Sequence, residues 1–248
     1  MASRTRSDSL EPNAIERVGF TLGRLVRFMF SSAAALLAGL VFSVIVEWVG
    51  MFTFWKDQGA AHAANMLQQE LGYLEADFAR RLYNATPRVA AEEVAAATSN
   101  WLNAHDGWFS RFSWLSDPVV RSDNTIVEYA KRAYGVLEPF ISSAHDITVL
   151  YMVRLMIITF SVPLIMLTAF TGLMDGLCQR ELRKDGGGRE SATKFRFSTW
   201  LLYIGLFAPF IFYLASPFPT HPGLVLAPIA LAVGVLVYMT ASNYKKYW

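Results

Sequence analysis

The sequence is poor in the residue types on which enzymes and metal sites depend. Its 248 residues include one cysteine and four histidines, and the histidines lie far apart at positions 62, 105, 145 and 221. The single cysteine, Cys178, excludes an intramolecular disulfide. No His-x-x-x-His, Cys-x-x-Cys or carboxylate cluster has metal-ligand spacing, and no Gly-x-x-x-x-Gly-Lys loop is present. We therefore expect no catalytic residue, metal site or cofactor, and we predict that the protein is not an enzyme.

Runs in which apolar and polar residues alternate are also missing, so nothing in the sequence indicates β-strands. The chain is instead apolar, with 54% hydrophobic residues and a mean hydropathy of +0.31. Several apolar runs approach the length of about 20 residues that crosses a hydrocarbon core as a helix. We predict an all-α, polytopic integral membrane protein with four transmembrane helices and a small helical periplasmic domain between helices 1 and 2.

Apolar runs and polar segments alternate along the chain, and their boundaries predict seven parts. In chain order these are a cytoplasmic N-terminal segment (1–24), transmembrane helix 1 (25–55), the periplasmic helical domain (56–147), transmembrane helix 2 (148–174), a cytoplasmic basic loop (175–199), a transmembrane hairpin of helices 3 and 4 (200–241) and a cytoplasmic tail (242–248).

Charge is distributed unevenly between the two predicted sides of the membrane. Residues 1–27 contain five arginines and three acidic residues, and residues 174–199 contain six basic and four acidic residues. The region 56–147 is the reverse, with 8 basic and 12 acidic residues. Because Lys and Arg collect on the cytoplasmic side of a membrane, both termini and the basic loop are predicted to be cytoplasmic. Membrane topology thus explains the basic patches, and we do not expect direct nucleic-acid binding.

The predicted periplasmic domain has helical periodicity in three stretches. In the first, apolar residues recur at three- and four-residue steps: Leu67, Leu71, Leu74, Phe78 and Leu82. Thr86-Pro87 is typical of a helix start, and the helix that follows is predicted to present one apolar face, formed by Val94, Ala97, Trp101 and Ala104. A third helix, capped by Asp123 or Asn124, could continue into transmembrane helix 2, and its apolar residues are Ile126, Ala130, Ala133, Leu137 and Phe140.

Two further features leave alternatives open. An aromatic-rich stretch either packs over the short helices and the outer leaflet or docks another protein; its members are Trp101, Trp108, Phe109, Phe112 and Trp114. In helix 1, Ala35, Gly39 and Ser43 recur every four residues, a spacing that lets two transmembrane helices approach closely. This face either contacts another helix or reflects a span rich in small residues, and an oligomer is left open.

Two ionisable residues fall near the predicted bilayer. Glu47 lies toward the outer end of helix 1 and Arg154 about one turn inside the outer end of helix 2. Charged groups within spans usually face a protein interior or a partner. One interpretation is an ion pair between Glu47 and Arg154, and the other is that each side chain reaches the interface separately.

The segment 175–191 has an unusual mixture of charges for a membrane boundary. Its basic residues would sit among anionic lipid headgroups, where each contributes about 1 kcal/mol. Lipid binding does not explain the interspersed acidic residues or the glycine-rich bend. We therefore predict that this segment contacts a protein partner, through Asp175, Arg180, Arg183, Arg189, Glu190 and Ser191.

The same segment carries a resemblance to a known family. Asp175-Gly176-Leu177, Arg180, Leu182-Arg183 and Gly188-Arg189-Glu190-Ser191 follow an apolar run. Together with the four-span plan, these motifs resemble the membrane-protein family encoded by integrative and conjugative elements. In that family an aromatic-His-basic run tends to follow, and Phe195-Arg196-Phe197 departs from it, so no role for a histidine is carried over.

The resemblance implies a place in bacterial conjugation at the inner membrane, beside the coupling ATPase that hands DNA to a type IV secretion channel. The first hypothesis is thus a non-enzymatic inner-membrane component of the conjugative DNA-transfer apparatus that binds or scaffolds the coupling ATPase. The alternative is a small membrane transporter or channel subunit, which would need a polar path through the helices.

Overall fold

The computed structural model describes residues 14–77, 87–104, 125–186 and 192–244, and within these ranges every regular element is an α-helix. The prediction of an all-α fold is therefore confirmed. In chain order the helices are α1 (Ala14–Thr53), α2 (Ala61–Asp77), α3 (Pro87–Asn103), α4 (Thr125–Asp185), α5 (Ala192–Ala215) and α6 (Pro222–Ser242).

Four of these helices contain segments that are long and apolar enough to cross a bilayer. The segments are Gly23–Thr53 in α1, Lys131–Arg183 in α4, Phe195–Ala215 in α5 and Pro222–Ser242 in α6. Large apolar side chains on them point outward, among them Phe170 and Phe212, which are 60% and 77% exposed. Such exposure suits helices surrounded by lipid, where apolar side chains have no water to avoid.

The chain divides into two compact units, Met1–Gly39 and Leu40–Trp248. In the first unit the described side chains of α1, from Gly23 onward, are mostly exposed. The predicted small-residue face is divided between the units. Ala35 is exposed and Gly39 half-buried, whereas Ser43, in the second unit, is buried and donates a hydrogen bond of 3.3 Å to the Leu214 carbonyl.

Within the second unit, α4 and α6 approach each other most closely through glycines. A Cβ added at Gly172 would collide with the Gly234 carbonyl oxygen, and one added at Gly234 would lie 2.9 Å from the Thr168 carbonyl oxygen. Gly176, one turn further along α4, faces Ala241 in the same way. Gly172 and Gly176 form a Gly-x-x-x-Gly pair, which brings two backbones together without side chains between them.

Helices α2 and α3 pack against α4. Leu74 of α2 and Ala91 of α3 join a buried cluster that includes Val153 of α4. The prediction that α3 starts at Pro87 is confirmed. The apolar face predicted for α3 is not its buried face, because Ala91 and Leu102 are buried while Trp101 is 71% exposed.

The third predicted helix of this region is the first part of α4. It continues without interruption into the apolar segment, so that α4 has 61 residues. The predicted face is again shifted, since Tyr134 is buried whereas Ala133 and Leu137 are exposed. Phe78, Leu82, Ile126 and the aromatic stretch 108–114 lie outside the residues whose side chains are described.

Candidate functional site

Arg154 of α4 is the largest fully buried side chain of the described structure, with 2% exposure, and its carboxylate partner is Glu70 of α2, with 0%. Arg154 Nε lies 3.1 Å from both Glu70 carboxylate oxygens, and Nη2 lies 2.5 Å from Oε1. These bonds join residues 84 positions apart in the sequence. The pair is bidentate, the geometry in which guanidinium and carboxylate interact most strongly.

The remaining N–H groups of Arg154 hold the connector between α5 and α6. Nη1 donates to the carbonyls of Leu214 and Ser216 at 3.3 and 2.6 Å, and Nη2 donates to the carbonyl of Phe218 at 3.1 Å. A guanidinium has five N–H groups, and these bonds engage all of them. Glu70 Oε1 also accepts the backbone N–H of Thr220 at 3.3 Å. We call Glu70, Arg154 and the connector 214–220 the arginine clamp.

The sequence of the connector explains why it needs an external donor. The last carbonyls of a helix have no partner within that helix, and Leu214 lies at the end of α5. The connector contains Pro217 and Pro219, and Pro222 starts α6, so three positions that would otherwise supply N–H groups cannot do so. Buried carbonyls without a donor destabilise a fold, and Arg154 supplies the missing hydrogen bonds.

A second buried pair lies beside the clamp and joins α1 to α2. His62 Nδ1 is 3.0 and 3.2 Å from the two carboxylate oxygens of Glu47, and Glu47 is 1% exposed. The His62 ring stacks on Trp55, with ring centroids 4.0 Å apart and planes inclined by 10°. Trp55 in turn contacts Phe218 of the connector edge-on at 6.3 Å.

The structure therefore gives Glu47 and Arg154 different ionic partners from those the sequence predicted. Arg154 pairs with Glu70 and Glu47 with His62, and no direct ion pair joins Glu47 to Arg154. The prediction was nevertheless close in space, because both side chains line one small cavity. Both observed partners come from α2, which supplies Glu70 to Arg154 and His62 to Glu47.

Near the carboxyl end of α4, two of the predicted partner-binding arginines contact other parts of the same chain. Arg183 donates to the Ser242 carbonyl at 3.1 Å and lies 3.5 Å from the Asn243 side-chain oxygen. The Arg180 guanidinium lies over the ring of Tyr244, 5.6 Å from its centroid. Asp175 is exposed. The other predicted contact residues, Arg189, Glu190 and Ser191, lie outside the described residues.

Comparison with known protein families identifies the chain. Residues 54–245 match the family model described as IncC plasmid conjugative DNA transfer protein DtrJ-like. The chain belongs to the DtrJ-like family. No curated protein and no solved structure matches it.

The DtrJ-like match contains most of the site. It includes His62, Glu70, Arg154 and the whole connector, whereas Glu47 precedes it. The expectation of a family associated with conjugation is thus confirmed at the level of conjugative DNA transfer. The match does not confirm the membrane-protein family of integrative and conjugative elements, which the segment 175–191 resembles.

Sequence reasoning missed Glu70 and His62, although Glu70 carries a recognisable signal. Ala63, Met66, Glu70 and Leu74 follow one another at steps of three, four and four residues, and all four are buried. A single carboxylate in the middle of an apolar helical face indicates a buried partner of opposite charge. Arg154 is the only basic residue of the predicted transmembrane helix 2, so this signal would have indicated the pair.

Proposed function

We propose that this member of the DtrJ-like family is a non-enzymatic inner-membrane component of a conjugative DNA-transfer apparatus of the type IV secretion class. In this proposal it serves as a partner or scaffold of the coupling ATPase. The observation that carries the proposal is the family match over 54–245, which coincides with three of the four apolar helices. A conjugative transfer protein with such helices is suited to the membrane-bound part of the apparatus.

We propose that both termini lie in the cytoplasm, and the contacts within the second unit support this topology for α2 to α6. The arginine clamp joins α2 to the connector between α5 and α6, so the polar region after α1 and this connector lie at the same end of the helices. Arg183 joins the end of α4 to the end of α6 at the other end. Arg180 and Arg183 lie at that second end, and the positive-inside rule assigns an end with such basic residues to the cytoplasm.

We place the partner-binding surface on the cytoplasmic segment 175–191. Arg180 and Arg183 have contacts within the chain and anchor the base of this segment. The exposed Asp175 and the charged residues Arg189 and Glu190 are then the groups offered to a partner, with anionic lipids covering the remaining basic residues. The alternative of a transporter or channel subunit has less support, because the N–H groups of Arg154 are all engaged in holding the connector.

The test is a conjugation assay with the double variant Arg189→Ala/Glu190→Ala. Transfer is expected to fall to the level of a strain that lacks the gene, while the amount of protein in the inner membrane stays unchanged. The coupling ATPase should co-purify with the parent protein and not with the variant. The matched control is Arg132→Ala/Glu138→Ala, which removes the same charges from exposed positions on the opposite end of α4. Normal transfer by the first variant would refute the partner-binding segment.

A further inference from the structure

A small cavity lies between α1, α4 and the α5–α6 connector. Its volume is about 10 Å³, and its polar lining includes Ser43, Glu47, Arg154 and Ser216. A polar cavity of about 10–15 Å³ can hold one water molecule, provided that two to four polar groups surround it. The cavity meets both conditions.

The Glu47 carboxylate has more acceptor capacity than its protein neighbours fill. Its one hydrogen-bond partner is His62, whose Nδ1 lies 3.0 and 3.2 Å from the two carboxylate oxygens. An ionised carboxylate has about four acceptor sites, so about two are left for solvent. Arg154 cannot fill them directly, since its N–H groups are engaged by Glu70 and the connector. A carboxylate that is 1% exposed needs a further donor close at hand.

We propose that one structural water occupies this cavity and links Glu47 to the arginine clamp. The water donates one hydrogen bond to the Glu47 carboxylate and the other to the Ser216 carbonyl, which is within the two to four polar partners that a buried water needs. Ser43 already reaches the connector through its bond of 3.3 Å to the Leu214 carbonyl. Glu47 thereby acts as a positioning residue that couples α1 to the connector, even though it has no direct bond to Arg154. This inference does not depend on the proposed function in conjugation.

The first test is a thermodynamic double-mutant cycle on the full-length protein in detergent micelles. The variants are Glu47→Gln, Arg154→Lys and their combination. If the water couples the two sites, the product of the single effects on the unfolding equilibrium constant should differ from the double effect by at least about threefold. The control cycle combines Glu47→Gln with Glu92→Gln, an exposed residue of α3, and should agree within about twofold. Agreement within the control range for Glu47 and Arg154 would overturn the proposal.

The second test needs no variant. A high-resolution experimental map of the unmodified protein should show a spherical peak within about 3.2 Å of a Glu47 carboxylate oxygen and of the Ser216 carbonyl oxygen. A map that resolves other buried waters of the protein and shows no peak there would overturn the inference. This measurement also decides the question if the Arg154 variant fails to fold.

Discussion

Glu70→Gln is the substitution that tests the arginine clamp most directly. Glutamine keeps the shape of the side chain and one acceptor oxygen, but it removes the negative charge that faces Arg154. The pair is fully buried, with 0% exposure at Glu70 and 2% at Arg154, and the guanidinium binds both carboxylate oxygens. Removal of one partner from a buried ion pair destabilises a protein by about 3–5 kcal/mol, because the other charge is left uncompensated.

The measurement is reversible unfolding of the purified protein in mixed micelles, followed by helical circular dichroism. Glu70→Gln should lower the free energy of unfolding by about 3–5 kcal/mol. The control is Glu92→Gln in α3, where Arg88 Nε lies 2.7 Å from a half-exposed carboxylate. An exposed pair at this spacing contributes about 0.3–0.5 kcal/mol. The reasoning is refuted if Glu70→Gln and Glu92→Gln destabilise the protein by the same amount.

A charge reversal separates a clamp from a simple ion pair. In a simple pair, Glu70→Arg/Arg154→Glu would restore much of the stability that either single change removes. Here Arg154 also donates to three backbone carbonyls, and a glutamate at that position would place a carboxylate against those oxygens. The reversed protein should therefore be no more stable than Arg154→Glu alone. Recovery to near parental stability would show that the connector carbonyls do not need the guanidinium.

Three further predictions follow from other contacts. Gly172→Ala should lower the free energy of unfolding by about 1–3 kcal/mol, because the new methyl group meets the Gly234 carbonyl. Gly135→Ala in the same helix, where nothing lies within 4 Å, should raise it by about 0.5–1 kcal/mol, and equal effects would contradict the close approach of α4 and α6. Arg183→Ala should lower the free energy of unfolding by about 0.3–1 kcal/mol, because the contact with the carboxyl end of α6 is lost. Thermal unfolding measures this change, and the control Arg132→Ala, at an exposed position, should leave the free energy of unfolding unchanged. The proposed topology can be tested in spheroplasts with a maleimide that does not cross the membrane. It should label Gly135→Cys in a Cys178→Ala background in intact spheroplasts, and it should label native Cys178 only after lysis. The reverse labelling pattern would refute the topology.

The sequence predicted the fold well where long apolar runs and proline signals decide the structure. The apolar helices and the start of α3 at Pro87 follow from hydropathy and from the missing N–H of proline. The apolar face predicted for α2 packs against the core through Leu67, Leu71 and Leu74, whereas the one predicted for α3 does not match its buried residues. Trp101 belongs to the apolar face predicted for α3, yet it is 71% exposed while Leu102 beside it is buried. Near a membrane, an exposed tryptophan is stable, so hydrophobicity alone does not identify the packed face.

The sequence analysis identified two charged residues of the site, Glu47 and Arg154, but not the residues with which they pair. Glu47 and Arg154 stand out because they interrupt apolar runs, and both are buried in the structure. Their partners, Glu70 and His62, lie in the polar region 56–147, where charged residues are common and a single one does not stand out. The contact between Glu70 and Arg154 spans 84 residues and depends on how α2 packs against α4, which no local pattern specifies. Only the position of Glu70 within an apolar face would have revealed it.

The two arginines at the ends of the apolar part of α4 perform the same physical task. Leu214 lies in the last turn of α5 and Ser242 ends α6. The carbonyls at these carboxyl ends lack helical partners and carry partial negative charge. Arg154 donates to the first and Arg183 to the second. The arginines are 29 positions apart, which is about 44 Å along a helix and enough to place a guanidinium on either side of a hydrocarbon core of about 30 Å. Most of the predicted span, 148–174, lies between these two arginines.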